Sequence, residues 1–163
     1  MGLRVKDLYN LYRNTLELEI TQSQEEMDRP IKVAHVQRPG LSLAGYSSRK
    51  RDNRILVFGK MELSYLRDLK PKERVDRLAK VITPSNPAVL VSRGLSPPRE
   101  LVKHCKQVGA VLFRSSLMSM TLMSKLTLIL SDAFSPVESV HGTLIEAYGI
   151  GVLVQGDYFG WKE

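Results

Sequence analysis

Between Ile55 and Phe134, short apolar runs alternate with helical segments, and this alternation restricts the fold more than anything else in the chain. Ile55–Phe58, Ala88–Val91 and Ala110–Phe113 are apolar at every position. Strands of that kind are buried on both faces, unlike strands with one wet face, whose residues alternate. The intervening segments, Glu62–Leu69, Pro71–Ile82, the stretch after Ser96, and Met118–Phe134, read as helices. Parallel neighbours require such crossovers, and doubly buried strands require cover on both sides. The expected fold class is α/β: a small, open, mainly parallel sheet with helices on both faces.

Local signals refine this. Pro71 fits a first helical turn, and Val75, Leu78, Ala79 and Ile82 recur at helical spacing. Ser96-Pro97-Pro98 reads as a helix start with serine as N-cap. Leu101, Val102, Cys105 and Val108 then face inward, and Gly109 ends the helix. Leu122, Leu126, Ile129, Leu130 and Ala133 form the core stripe of the last helix. Met118, Met120 and Met123 read as gap fillers or surface residues, not as a ligand surface. Upstream, Val5, Leu8, Tyr9 and Tyr12 mark an opening helix, with strands expected at Leu16–Ile20 and Ile31–Val36. Arg38-Pro39-Gly40 breaks the second strand, and Leu41–Tyr46 is a loop or helical turn.

The pattern changes near the C-terminus. Val140–Tyr148 and Ile150–Gln155 meet at Gly149 as a hairpin. Residues 1–135 are therefore expected as one α/β domain, and 136–163 as a hairpin followed by a loop. Apolar strands outside a sheet present free edges, so they should pair with another chain, pack on the domain or self-associate. After the hairpin, Gly156, Asp157 and Lys162 keep part of the spacing of a phosphate-binding loop, G-x-x-x-x-G-K-[ST]. The second glycine of that pattern is Trp161 and the hydroxyl position is Glu163. Tryptophan adds bulk where backbone must approach phosphate, and glutamate adds negative charge there. This reads as a lost or truncated nucleotide site.

Four segments in order carry a family resemblance: RPGLSLAGY (Arg38–Tyr46), GKMELSYL (Gly59–Leu66), VSRGLSPP (Val91–Pro98), and the run from VHG (Val140–Gly142) through YGIGVL to GD at Gly156-Asp157. Together they resemble HPr kinase/phosphorylase, a bacterial enzyme that phosphorylates and dephosphorylates a serine of the phosphocarrier protein HPr. The resemblance covers nearly the whole chain, up to the start of that family's kinase domain. It implies an N-terminal α/β domain similar to the first domain of Mur ligases, followed by a hairpin remnant of the kinase domain. It also implies regulation of carbon metabolism through the phosphotransferase system. By resemblance, His141 matches the family's active-site histidine and Lys162 its loop lysine. ATP and magnesium are the family's cofactors, and HPr would be the partner. The family's general-base aspartate lies in sequence beyond Glu163. Without that carboxylate, a substrate serine lacks a proton acceptor, and without a hydroxyl at 163 magnesium loses a ligand. The chain alone is therefore expected to be inactive and to bind no cofactor. Its expected role is a non-catalytic regulatory or assembly module; the alternative is a fragment of the bifunctional enzyme.

Composition bounds the remaining classes. No run approaches the roughly 18 apolar residues of a membrane span, and no signal-peptide core opens the chain, so a cytoplasmic protein is expected. One cysteine, Cys105, and three scattered histidines give no metal-ligand spacing. The net charge of +7 favours anionic partners in general. Arg49-Lys50-Arg51 with Arg54 forms the densest cluster; without interleaved aromatics it reads first as a solvated loop, with nucleic-acid binding as the weaker alternative function. Arg38, Lys60, Arg93 and Arg114 each follow a predicted strand. Ligands of open parallel sheets bind beyond the strands' carboxyl ends, so these four either build an anion pocket there or pair with acids and face water.

Overall fold

The computed structural model describes residues 2–21, 26–46, 53–137 and 141–155. Helix α1 (Val5–Tyr12) is followed by strands β1 (Leu18–Ile20) and β2 (Val36–Gln37), a 3-10 turn at Gly40–Ser42 and β3 (Ile55–Phe58). Helices α2 (Lys60–Asp68) and α3 (Pro71–Val81) lead to β4 (Ala88–Val91). Helix α4 (Arg99–Val108), β5 (Val111–Ser115) and α5 (Ser119–Ala133) complete the domain. The sheet order is β1-β5-β4-β3-β2. β2 to β5 are parallel neighbours in chain order, and β1 joins β5 antiparallel. The mainly parallel α/β sheet expected from the apolar runs is present.

Alternation along the strands divides the interior in two. On one face, Ile55, Val57, Leu90, Val111 and Phe113 pack with Val5 and Leu8 of α1 and Leu122, Leu126 and Leu130 of α5. Tyr9 stacks on Phe113 with ring centroids 5.7 Å apart. On the other face, Leu56, Phe58, Val89, Val91 and Leu112 meet Leu63 and Leu66 of α2, Leu78 of α3, and Leu101 and Cys105 of α4. Each fully buried aliphatic or Phe side chain contributes roughly 1.5–3 kcal/mol, so helical cover on both faces is what makes these apolar strands stable.

Three helices begin alike. The third-residue carboxylate reaches back to the N-cap amide: Arg4 N–H donates to Asp7 (2.9 Å), Gly59 N–H to Glu62 (2.9 Å) and Lys70 N–H to Glu73 (3.0 Å). Helix α4 ends at Gly109, whose φ of +71° is costly for any residue with a Cβ. The Arg29 guanidinium donates to the carbonyls of Pro84, Val108 and Gly109, binding the turns that precede β4 and β5.

Several local expectations are corrected. The strand expected at Ile31–Val36 is confined to Val36–Gln37. Ile31 and the residues just before it instead bond to the N-terminus, Ile31 N–H to Leu3 O and Val5 N–H to Arg29 O, so Ile31 is buried without joining the sheet. Helix α4 starts at Arg99, not at Pro97. Pro98 disfavours helical geometry at the residue before it, so the helix forms only beyond the second proline. The buried seam of α3 is Leu78, Val81 and Ile82; Val75 is 46% exposed and Ala79 is also on the outside. Ala133 is exposed in the last turn of α5, beside Gly2 and Leu3.

The hairpin, β6 (Thr143–Ala147) and β7 (Ile150–Val154), is antiparallel and forms a sheet of its own. Every residue of both strands is exposed. No helix among the described residues is long and apolar enough to cross a membrane.

Candidate functional site

The parallel strands β2 to β5 end at Gln37, Phe58, Val91 and Ser115, and one edge of the sheet carries these carboxyl ends. Arg38, Gly59 and Ser92 directly follow the first three. Their surroundings make this edge the most polar part of the interior.

Glu62 is the one carboxylate buried there, with 4% of its side chain exposed. The Arg38 guanidinium grips it with two parallel bonds, Nε to Oε1 at 3.0 Å and Nη2 to Oε2 at 2.8 Å. Burial raises the carboxyl's proton affinity. The bonds from Arg38 and from backbone amides, with the guanidinium charge, outweigh it and hold the group below its ordinary value of 4.5. The Arg38 guanidinium is shifted upward, chiefly by its hydrogen bond to Glu62. The pair pins the segment after β2 to the first turn of α2.

Gly59 sits in the middle of this arrangement. A Cβ there would lie 2.7 Å from Ser119 Oγ, 3.0 Å from Arg38 Nη2 and 3.2 Å from Glu62 Oε2. Ser119, the first residue of α5, shares a 2.7 Å hydroxyl bond with buried Ser92. Ser115 donates to Leu16 O at 2.6 Å, closing β1 onto β5. Arg93 and Gly94 both have a φ of +61°. Their amides donate to Leu117 O and Ser115 O, each at 2.8 Å, so the loop after β4 is stitched to the loop after β5.

The four cations singled out by position are not equivalent. Arg38 is committed to Glu62. Arg114 lies within β5 and bonds Glu19 of β1 at 3.0 and 2.5 Å. Lys60 and Arg93 are exposed. The edge thus places carboxylates against two of the four, and sequence position alone could not reveal either partner.

Beside Arg38–Glu62 lies an apolar groove of about 320 Å³, walled by Gly40, Leu41, Leu43, Met61 and Tyr65. Leu41 is 73% and Met61 75% exposed along it. The groove joins the RPGLSLAGY segment to GKMELSYL. Neither Leu41 nor Met61 was picked out by sequence reasoning; both are isolated apolar residues in otherwise mixed segments.

The remaining candidates are dispersed. His141 is exposed just before β6. Gly156, Asp157, Trp161, Lys162 and Glu163, which carry the expected phosphate loop, lie outside the described residues, as does Arg49-Lys50-Arg51. His104 is half-buried, with Nε2 2.9 Å from Ile82 O, a contact between α4 and the end of α3. Burial pushes the Cys105 thiol up to about 12. Among the described residues no group of three His, Cys, Asp or Glu side chains gathers as a metal site would require.

Comparison with known proteins gives a family and a likeness among solved structures. The family model described as HPr Serine kinase N terminus matches residues 3–130. Among solved structures, the chain is similar to the CBS and DRTGG domains of the regulatory region of Clostridium perfringens pyrophosphatase, complexed with the activator diadenosine tetraphosphate. That match has 16% identity and a TM-score of 0.48, and covers 74% of this chain but 46% of the other.

Proposed function

Because the chain belongs to the HPr serine kinase N-terminus family, matched over residues 3–130, we propose that it works as a non-catalytic regulatory and assembly module of an HPr kinase/phosphorylase-like protein. The observation that carries this reading is the state of Glu62. A general base needs a carboxylate free to accept a proton near the working pH. Glu62 is instead held ionised by a bidentate arginine and a backbone amide. The Cys105 thiol, buried and shifted to about 12, supplies no nucleophile. The Ser92 and Ser119 hydroxyls bond each other with no histidine between them.

The neighbouring groove supports the assembly half of the reading. Leu41 and Met61 leave apolar surface in water next to a rigid polar cluster, the kind of patch used for contact with other polypeptides. His141 and Lys162 would serve catalysis only if the phosphate loop were competent, and Trp161 and Glu163 are poor residues for cradling phosphate and magnesium. The test is phosphoryl transfer from magnesium-ATP to HPr by the purified chain, with calorimetry of ATP binding alongside. No transfer and no saturable ATP binding below the millimolar range are expected. Transfer that disappears in His141→Ala or Lys162→Ala would show that the chain is an active fragment of the enzyme instead.

A further inference from the structure

Away from Glu62, three helices bring guanidinium groups to one small cavity. It measures about 270 Å³ and is lined by Arg67, Arg74, Ser96, Pro98, Arg99 and Glu100. Arg67 lies in the last turn of α2, Arg74 near the start of α3, and Arg99 is the first residue of α4. Packing of separate helices, not closeness in sequence, creates this convergence.

The three arginines differ in a way that suits a binding site. Arg74 is oriented by three acceptors: Nε donates to Leu69 O (3.0 Å), Nη2 to Arg67 O (2.9 Å) and Nη1 to Glu100 Oε1 (3.2 Å). Its plane is thus fixed before any ligand arrives, and two N–H groups remain unused by those bonds. The Arg67 and Arg99 side chains make no hydrogen bond or ion pair among the described residues. Three permanent positive charges therefore face one carboxylate, and an oxyanion would relieve the remaining repulsion. The Ser96 hydroxyl adds a donor. Helix α4 starts at this cavity with no side-chain cap, so its positive end also faces the space.

We propose that Arg67, Arg74, Arg99 and Ser96 form a binding site for a phosphate group, carried as inorganic phosphate or as a small phosphate monoester. Guanidinium forks match the oxygen spacing of phosphate, and a preset arginine between two adaptable ones grips it from three directions. The cavity is smaller than the roughly 300–1,000 Å³ typical for drug-sized ligands, which favours a compact phosphate over an enclosed nucleotide. The inference rests on the regulatory reading and names the ligand class that such a module reads.

The test is calorimetry on the full chain with inorganic phosphate and, separately, glycerol 3-phosphate, at constant ionic strength. One saturable site is expected, weakened about tenfold or more by Arg67→Gln and by Arg99→Gln. Both side chains are free of structural bonds, so circular dichroism and the unfolding midpoint should stay unchanged. Equal affinity for the two ligands identifies the bare phosphate as what is read; tighter ester binding adds its substituent. Lack of saturable binding at millimolar ligand overturns the proposal, as does binding that both variants leave intact. Binding lost in Lys162→Ala but kept in the arginine variants also overturns it, by moving the phosphate to the C-terminal loop. Failure here leaves the non-catalytic reading standing, because that reading is tested separately by phosphoryl transfer to HPr.

Discussion

Replacing Arg38 by Met tests whether the Arg38–Glu62 pair organises the sheet's carboxyl edge. The substitution keeps an unbranched apolar side chain but removes both bonds to the Glu62 carboxylate, at 3.0 and 2.8 Å. The Gly59 amide still donates to it at 2.9 Å. Breaking a buried ion pair by deleting one partner costs about 3–5 kcal/mol, because the other charge stays buried. The Arg38 side chain is 34% exposed, so water reaches the vacated position and a loss of about 2–3 kcal/mol is expected. The double substitution Arg38→Met, Glu62→Leu removes the stranded charge and should be milder, near 1 kcal/mol. The sign of the pH dependence follows from Glu62. Its folded pKa lies below the ordinary 4.5, so its contribution is complete above that value and disappears as pH falls through the folded pKa. In Arg38→Met, burial acts on Glu62 with less opposition, so its folded pKa rises and the share of the acid-induced loss that Glu62 contributes in the parent should shrink. Urea denaturation at a series of pH values reads all of these. A single-mutant loss below about 0.5 kcal/mol, as for an ordinary surface pair, would refute the reasoning. So would a double variant as unstable as the single one.

Cys105 should resist a disulfide reagent in the folded chain at pH 8, since a thiol at about 12 is ionised to roughly one part in ten thousand there, and it is fully buried. Labelling should become complete in urea; rapid labelling of the native chain would contradict its placement under α4. The hairpin should drive self-association, because Leu144, Ile145, Ile150, Val152, Leu153 and Val154 are all exposed on a two-stranded sheet. A chain ending at Val137 is expected to sediment as a monomer where the full chain shows concentration-dependent association. Monomers in both cases would exclude the hairpin as a contact surface.

What could be read from sequence follows how local each determinant is. β3 and β4 were legible residue by residue because four consecutive apolar residues between polar turns admit little else, and both strands are wholly buried. β2 is shorter than its apolar run suggests because the Ile31 amide bonds to Leu3, a choice made by tertiary contact. Val75 and Ala79 match the helical spacing yet lie outside the buried seam of α3, since periodicity fixes a stripe's spacing better than its rotation. At the site, Arg38, Lys60 and Arg93 follow strands as expected while Arg114 lies within β5, and the acids facing Arg38 and Arg114 come from other elements. Glu62 had a local clue: an acid three residues after Gly59 predicts the amide bond that opens α2. Arg67, Arg74 and Arg99 had none, since only the packing of α2, α3 and α4 gathers them.

The antiparallel pairing of β1 with β5 also sets an order of events for a chain emerging from the ribosome. The interior shared by α2, α3 and α4 is built by residues from Leu43 to Leu112, and can close as soon as those have appeared. The opposite interior needs Val5 and Leu130 at the same time. Until β5 and α5 are made, α1 and β1 lack part of the surface they dock on, and the Leu16 carbonyl waits for Ser115, 99 positions downstream. Contacts that distant form late, because the intervening chain must lose its freedom first. The opening helix is therefore the natural latch of this domain, last to settle and, on loosening, able to uncover one side of the sheet while the other stays shut.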